Sequence, residues 1–524
     1  MGKSRVKNRG LLRARTPRLS WMHFLFRKTD YPITGSHSCQ AHRMLQHRAL
    51  THNTVVQTLG KILSVIIGWA TVLAMTNYLG AAGFGSYTIM TAYLQFFGVA
   101  ADLGLVLVSS QLFAERANDR ERIFANLLGF RLTTSAIILV FAPFFIWLFP
   151  YSAVIKTGVV ILTLSFLFVA LLQVFTGLFQ QALTMWRSVA GELLGRAALL
   201  AFVLAAIFEQ RGILFVVIGV TVGSFLNLGL AALLSRGLVR LRVAFEKEYW
   251  QLIWQRSWPI ALGVVFNLVY LKADTIILSF VRPEAEVGVY GAMYRVLEVL
   301  IAFPTMFAGI LLPVLAGAWA AERYEEFRHT VSESFTAIVS VALPLAVGIA
   351  MTAPRIVGFL GEDFVRLGTD VLRLLGVATA IIFVGTFFGH VIVAMNRQRS
   401  ILWAYALTAL LSLVGYLVVI PVAGAVGAAA VTVAVELFIA LLLYYYVRRY
   451  SLVSLLFRSL VPAFAASCGM ATWLLVASFL PTLFFILSAM LIYGALLYLF
   501  GGFPRALVEE IFSFSRRGDN NRVE

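Results

Sequence analysis

Residues 154–179 read VIKTGVVILTLSFLFVALLQVFTGLF, a run in which Lys156 is the only charged residue. At a rise of about 1.5 Å per residue, a helix of this length crosses a hydrocarbon layer of about 30 Å. A helix also satisfies all of its backbone polar groups within lipid, where no water can do so. The run therefore predicts a transmembrane helix.

Comparable apolar runs recur along the whole chain of 524 residues. Apolar residues make up 60% of it and charged residues 13%, and the mean hydropathy is +0.88, which excludes an ordinary water-soluble domain. We predict an all-α polytopic membrane protein with about fourteen transmembrane helices. They are placed at residues 54–79, 84–113, 123–149, 154–179, 188–208, 212–235, 258–281, 286–317, 328–353, 370–395, 400–420, 425–447, 457–479 and 482–501.

The basic residues predict the orientation of these helices. With the N-terminus in the cytoplasm, 31 of the 42 Lys and Arg residues fall in cytoplasmic segments, five in external loops and six within helices. An excess of basic residues in cytoplasmic loops is the usual sign of orientation. Both termini are therefore predicted to be cytoplasmic. The formal net charge of +17 is explained by this topology, and no nucleic acid partner is predicted.

The apolar spans and the basic segments between them also divide the chain into regions, and the two cysteines do not change that division. Cys39 and Cys468 are far apart in sequence, so neither a disulfide framework nor a metal site is predicted, and no cofactor is expected. Met22 and Met44 are alternative natural starts. The predicted organisation is a basic, disordered cytoplasmic tail at 1–53, a six-helix bundle at 54–236, a basic cytoplasmic linker at 237–257, a second six-helix bundle at 258–447, two further helices at 448–502 and a cytoplasmic tail at 503–524.

The two bundles are related by an internal repeat. A shift of 203 residues places Gly85-Ser-Tyr87 on Gly288-Val-Tyr290, and a shift of 212 residues places Gly212 on Gly424 and Arg187-Ser188 on Arg399-Ser400. Because each half has an even number of helices, both halves have the same orientation in the membrane. Two pseudo-symmetric bundles that face each other across a cleft are typical of transporters. The last two helices lie outside the repeat.

Several glycine-rich and aromatic motifs resemble those of one family. They are Asn77-Tyr-Leu-Gly-Ala-Ala-Gly-Phe-Gly-Ser-Tyr87, Ala101-Asp-Leu-Gly-Leu105, Asp274 with Val287-Gly-Val-Tyr-Gly-Ala-Met-Tyr-Arg295, and Pro421-Val-Ala-Gly-Ala-Val-Gly-Ala-Ala-Ala430. Over residues 54–501 the chain resembles the Wzx-type polysaccharide-biosynthesis flippases of the multidrug/oligosaccharidyl-lipid/polysaccharide exporter superfamily.

The resemblance implies a cargo and a location. The cargo is a polyprenyl-diphosphate-linked oligosaccharide, which is moved from the cytoplasmic to the external leaflet of a bacterial inner membrane for O-antigen, capsule or exopolysaccharide synthesis. Membrane lipids are the expected surroundings. A polysaccharide polymerase and a chain-length regulator are the candidate protein partners.

Five basic residues within the predicted spans are candidate ligands for the diphosphate: Lys61, Arg131, Arg196, Lys272 and Arg295. A charge at bilayer depth costs about 2.5 kcal/mol or more, so each needs a partner or a water-filled cavity. Lys272 is about 15 Å or more from either interface, too far to snorkel easily. Ion pairing is the alternative, for Arg295 with Glu298 and for Arg196 with Glu192, while Lys61 and Arg131 could reach the cytoplasmic interface.

Acidic residues within the spans are candidates for another role. Asp274, Glu298 and Glu436 are predicted to couple transport to a proton or sodium gradient. Asp274 lies two residues from Lys272, about 200° around the helix, so the two side chains do not share a face. Asp102, in the Ala-Asp-Leu-Gly motif, is predicted to serve packing and hydrogen bonding.

Two other functions stay open at this stage. A cation-coupled multidrug exporter of the same superfamily would have a similar helix count, but several Lys and Arg side chains in a cavity favour an anionic cargo. A membrane glycan polymerase or ligase is disfavoured because the longest predicted external loop, 354–369, is short and no Walker A or His-Glu-x-x-His motif is present. The chain is therefore predicted to be a transporter and not an enzyme.

Overall fold

The computed structural model describes residues 37–102, 104–115, 119–455 and 457–502, and these residues are almost entirely helical. The prediction of an all-α membrane protein is confirmed. In chain order the helices are α1 (His37–Asp102), α2 (Leu105–Glu115), α3 (Arg120–Phe145), α4 (Ala153–Gln181), α5 (Trp186–Phe208), α6 (Ile213–Ser235), α7 (Lys247–Val281), α8 (Glu284–Ala320), α9 (Tyr324–Gly358), α10 (Glu362–Ala394), α11 (Leu402–Ser451), α12 (Val461–Val476) and α13 (Thr482–Leu499).

Two of the helices contain two membrane-crossing segments each. α1 is broken at Gly80 and α11 at Gly424, where φ is 65° and 57°, a backbone conformation that only glycine adopts readily. Within the described residues, eleven helices are long and apolar enough to cross a membrane. With the two breaks and with α7, which covers the predicted span at 258–281, a helical segment lies at each of the fourteen predicted positions.

The helices extend beyond several predicted boundaries. α1 begins at His37, inside the predicted tail, where Gln, Arg, Met, Leu and Ala are good helix formers. α9 and α10 occupy most of the predicted loop at 354–369 and leave only residues 359–361 between them, because Glu362 and Asp363 stabilise the first turn of α10. The rest of the predicted tails, 1–36 and 503–524, lies outside the described residues.

The turns after the first and fifth spans of each half lie at equivalent positions of the repeat. Gly80 and Pro283 are separated by 203 residues, and Gly212 and Gly424 by 212 residues. Gly80 and Gly424 turn the chain with a positive φ, whereas Pro283 precedes the first turn of α8 and Gly212 that of α6. The two halves therefore reach the same topology with different turn residues.

The apolar core is shared between the halves on one side of the membrane and divided on the other. On the predicted external side, a single cluster draws residues from both halves, including Phe84, Tyr290 and Phe364. On the predicted cytoplasmic side the two halves have separate large clusters, one around Phe124 in the first half and one around Phe388 in the second. The halves are thus packed together externally, and the space between them lies on the cytoplasmic side.

The halves meet where the repeated glycine motif contacts its own copy. Gly85 of α1 and Gly288 of α8 are so close that a Cβ on Gly288 would lie 2.7 Å from the Gly85 nitrogen and 3.0 Å from its Cα. Small residues allow helix backbones to approach in this way in membranes. The two halves therefore touch at positions that the 203-residue repeat makes equivalent.

Hydrogen bonds and an aromatic contact between the two halves add to this crossing. The Asn77 amide donates to the Phe359 carbonyl at 2.8 Å, and the Tyr151 and Ser279 hydroxyls lie 2.6 Å apart. The Tyr151 ring stacks on Phe280 with centroids 5.6 Å apart. Each contact joins one half to the other. We call the Gly85–Gly288 crossing together with these contacts the outer seal.

The predicted cytoplasmic linker packs against the first half. The Ala244 amide donates to the Ala125 carbonyl at 3.0 Å, and the Glu246 amide donates to the Asn126 side chain at 2.9 Å. Arg122 donates to both carboxylate oxygens of Glu246. These bonds hold the segment before α7 to the start of α3.

Candidate functional site

A cleft lies next to the outer seal, on its predicted cytoplasmic side, between α1, α7 and α8. It begins about one helical turn beyond the crossing at Gly85 and Gly288, where a Cβ on Gly291 would still touch the Thr88 side chain. Its lining residues are Thr88, Thr91, Ala92, Gln95, Lys272, Thr275, Gly291, Tyr294, Arg295 and Glu298. We call it the central cleft. It combines hydroxyl, amide and charged groups within a membrane protein, which marks it as the candidate site.

The two walls of the central cleft are repeats of each other. A shift of 203 residues places Thr88 on Gly291, Thr91 on Tyr294, Ala92 on Arg295 and Gln95 on Glu298. The pairs are spaced as residues on one helical face. The charges are found only on the second copy. The cleft is therefore symmetric in backbone and asymmetric in charge.

Lys272, Arg295 and Glu298 form a compact group in this cleft, the Glu298 cluster. Oε1 of Glu298 lies 2.7 Å from Nζ of Lys272, and Oε2 lies 3.1 Å from Nη1 of Arg295. Nζ of Lys272 also lies 4.6 Å from the centre of the Tyr294 ring, within range of a cation–π contact. The predicted alternative of an ion pair between Arg295 and Glu298 is observed, and the cleft reaches all three side chains.

The other two predicted coupling residues are buried and do not line the cleft. Asp274 points away from Lys272, accepts a hydrogen bond of 2.6 Å from the Tyr290 hydroxyl and also bonds Thr275. Glu436 on α11 is 6% exposed and lies within electrostatic range of Tyr405. Whether either residue binds a coupling ion stays a prediction.

A second charged group lies in the first half, where Glu192 of α5 pairs with two cations. Its carboxylate is 3.4 Å from Lys61, 3.2 Å from Arg196 and 2.5 Å from the Ser64 hydroxyl. The pairing of Arg196 with Glu192 was the predicted alternative. Lys61 is the most exposed of the cations, at 63%. We call this group the Glu192 cluster.

Arg131 lies in neither cluster and is 2% exposed. Its Nε donates to the Ala170 carbonyl, its Nη1 to the carbonyls of Ala101 and Asp102, and its Nη2 to the side chains of Asp102 and Gln173. These bonds use all five N–H groups of the guanidinium. They also satisfy carbonyls at the end of α1, just before Gly104, where φ is 71°. The geometry gives Arg131 a structural task, and its predicted role as a phosphate ligand gains no support.

Sequence reasoning missed the wall that the first half contributes. Thr88, Thr91 and Gln95 are uncharged, so the search for intramembrane charges passed over them. Two signals were present: a polar stripe at helical spacing on one face, and the match of Gln95 to Glu298 under the repeat shift. The pairing of Lys272 with Glu298 joins two helices, and residue spacing does not reveal such a contact.

Comparison with known families identifies the chain. The family described as polysaccharide biosynthesis protein matches residues 50–319, slightly more than half of the chain, and the MatE family matches residues 259–418. A comparison with curated proteins gave no match.

Solved structures share the fold at low sequence identity. The lipid II flippase MurJ in an inward closed conformation is 13% identical, with a TM-score of 0.72 over 85% of this chain and 98% of that one. An inward-facing multidrug resistance MATE family transporter of the MOP superfamily is also 13% identical, with a TM-score of 0.63 over 76% and 98%. A MOP superfamily transporter from Pyrococcus furiosus, described with a binding pocket of reverse polarity, is 13% identical, with a TM-score of 0.54 over 77% and 95%. The chain thus belongs to the polysaccharide biosynthesis protein family and has the fold of the MOP superfamily of flippases and transporters.

Proposed function

We propose that this protein is a flippase that moves a polyprenyl-diphosphate-linked oligosaccharide across the bacterial inner membrane by alternating access. The observation that carries the proposal is the central cleft, which presents Lys272 and Arg295 directly beneath the outer seal. Both cations line the cleft that the diphosphate would enter from the predicted cytoplasmic side while its lipid tail stays in the bilayer. Separation of the halves at the seal then opens the cleft to the outside.

The chemistry of the cleft suits a diphosphate. Arg and Lys make charge-assisted hydrogen bonds to phosphate oxygens, and these are stronger than bonds between neutral groups. Thr88, Thr91 and Gln95 on the opposite wall offer polar contacts to the first sugar. The site thus has an anion-binding wall and a neutral polar wall, as a sugar diphosphate requires.

The Glu192 cluster is proposed as an earlier station for the cargo. Lys61 lies nineteen residues before Gly80, whereas Lys272 lies nine residues before the end of α7 at Val281. At about 1.5 Å per residue, the two cations are roughly 28 and 14 Å from the external turns. The diphosphate would meet Lys61 and Arg196 first and the central cleft second. A polysaccharide polymerase and a chain-length regulator are the proposed partners at the membrane. The proposed energy source is a proton or sodium gradient that acts through Asp274, Glu298 or Glu436.

Replacing Lys272 with Ala tests this function. Export should be lost in a glycan-export mutant complemented with the variant, because the diphosphate loses a cation that the membrane cannot replace. Lys156→Ala is the matched control, since Lys156 also lies against an aromatic ring, 5.3 Å from the centre of Trp147, but outside the cleft. The control should export normally. Wild-type export by Lys272→Ala at equal expression would refute the proposal.

A cation-coupled multidrug exporter is the second candidate, and one observation favours it. Three carboxylates, Asp274, Glu298 and Glu436, lie in or near the cleft wall of the second half, and carboxylates suit cationic drugs and coupling ions. The two functions differ in their ligands. Purified protein that binds a cationic dye but no polyprenyl diphosphate would favour the exporter, and the opposite result would favour the flippase.

A further inference from the structure

The Glu298 carboxylate occupies the position between Lys272 and Arg295 that an anionic ligand would take. Each of its two oxygens contacts a different cation, at 2.7 Å and 3.1 Å. A phosphate group that bridges the same two cations presents its oxygens in a similar way. When the cleft is empty, the protein's own carboxylate therefore fills its anion site.

The charges of the cluster explain why such an occupant is needed. Lys272, Arg295 and Glu298 carry a net charge of +1, whereas the two cations alone would carry +2. An unpaired cation at this depth is energetically unfavourable. Glu298 lowers that cost in the empty cleft, and a bound diphosphate would do the same with its own negative charge. The cargo and the carboxylate thus compete for one pair of cations.

The exposure of the three side chains allows this exchange. The Glu298 and Arg295 side chains are 34% and 38% exposed, and that of Lys272 is 19% exposed, so water and ligand can reach all of them. Arg131, by contrast, is fully enclosed by its acceptors and could not exchange its partner in this way.

We infer that Glu298 is a displaceable counter-ion that leaves Lys272 and Arg295 when the diphosphate of the cargo binds and returns to them when the cargo is released. This inference rests on the proposed function and deepens it, because it names the residue that sets the affinity and the release rate of the anion site. It predicts an unusual pattern: removal of the carboxylate should strengthen binding and weaken transport.

The repeat indicates a substitution that the cleft can accommodate. The residue equivalent to Glu298 in the first half is Gln95, which lines the same cleft. Glu298→Gln keeps the size of the side chain and removes its charge. Glu298→Asp keeps the charge on a side chain that is one methylene shorter. Glu326→Gln is the matched control, because Glu326 also pairs with an arginine three residues away and is also 34% exposed, but it lies at the start of α9 outside the cleft.

The probe is geranylgeranyl diphosphate, titrated into purified protein in lipid nanodiscs, with geranylgeraniol as the control for the lipid tail and inorganic pyrophosphate for the headgroup. Glu298→Gln should bind the diphosphate about tenfold tighter than wild type, since a like charge beside the ligand is removed. Glu326→Gln should bind as wild type does, and Glu298→Asp, which keeps the charge, should bind more weakly than Glu298→Gln. In cells, Glu298→Gln should export less glycan, because no carboxylate displaces the cargo at the external side.

The outcomes separate the two proposals. If wild type does not bind geranylgeranyl diphosphate, or if Lys272→Ala binds it equally well, the proposed function fails and this inference fails with it. If binding requires Lys272 but Glu298→Gln binds no tighter than wild type while unfolding at the same temperature, the anion site stands and the counter-ion role is refuted. If Glu326→Gln gained as much affinity for geranylgeranyl diphosphate as Glu298→Gln, the counter-ion role would also be refuted, because the effect would then reflect overall charge alone.

Discussion

Gly288→Ala should force the outer seal apart. A Cβ at this position would lie 2.7 Å from the Gly85 nitrogen and still closer to the Ala81 carbonyl oxygen, and both of these are backbone atoms that cannot rotate away. Ordinary van der Waals contact begins near 3.4 Å, so α1 and α8 must separate by at least 0.7 Å. Overpacking of this kind costs about 1 to 3 kcal/mol in the sealed state. The same energy would shift the equilibrium toward an externally open state about 5- to 150-fold.

The shift can be measured by the labelling of a cysteine below the seal. In protein with Cys39 and Cys468 replaced by Ser, Gln95→Cys should react slowly with a membrane-impermeant maleimide added outside intact cells. Gly288→Ala should accelerate that reaction within the range given above. Gly309→Ala is the control, because Gly309 lies on the same helix and has no neighbouring atom within 4 Å of the position that a methyl group would take. This variant should leave the labelling rate unchanged. Unchanged labelling in folded Gly288→Ala protein would refute the assignment of the seal.

Two further predictions concern stability. Arg131→Met should lower the free energy of unfolding by about 3–5 kcal/mol, because it leaves buried acceptors without a donor. Arg373→Met is the control, and it should lower that free energy by less than about 1 kcal/mol because Arg373 belongs to an exposed ion pair. Thermal unfolding of the two variants in detergent measures the difference. Glu246→Gln should speed hydrogen exchange at the Ala244 amide, because it removes the charge that holds the linker to α3. Hydrogen bonds from Arg122 hold the pKa of Glu246 below its usual 4.5, so in wild type this protection should be present at neutral pH and lost only as the pH falls through the lowered value. Rapid exchange at neutral pH, or protection that Glu246→Gln leaves intact, would contradict this.

The number and order of the helices could be predicted because each span needs a long apolar run and because basic residues mark the segments between them. Gly80 lies between the predicted spans at 54–79 and 84–113, as a break in the helix requires. The sequence alone did not show that the chain is helical immediately before and after this residue. That Gly85 and Gly288 touch each other, however, depends on how the halves pack, and a repeat does not specify this.

The candidate site was only partly accessible from the sequence. The cost of a charge at bilayer depth made both Arg131 and Lys272 candidate phosphate ligands and distinguished them only by depth, whereas in the structure Arg131 is enclosed by acceptors and Lys272 faces a cleft. The difference arises from partners on other helices, such as Gln173 for Arg131 and Glu298 for Lys272. Spacing along one helix finds pairs such as Arg295 with Glu298, whereas contacts between helices appear only once the bundle is folded.

The shared core on the external side sets a limit on how fast such a protein can work. In the proposed alternating-access cycle, each turnover would pull apart apolar surfaces that both halves contribute, and each Å² transferred to water costs about 25 cal/mol. That expense recurs in every cycle and belongs to the activation barrier, so the conformational step and not cargo capture would govern the rate. A slow carrier follows from the same packing that keeps the two halves sealed at rest.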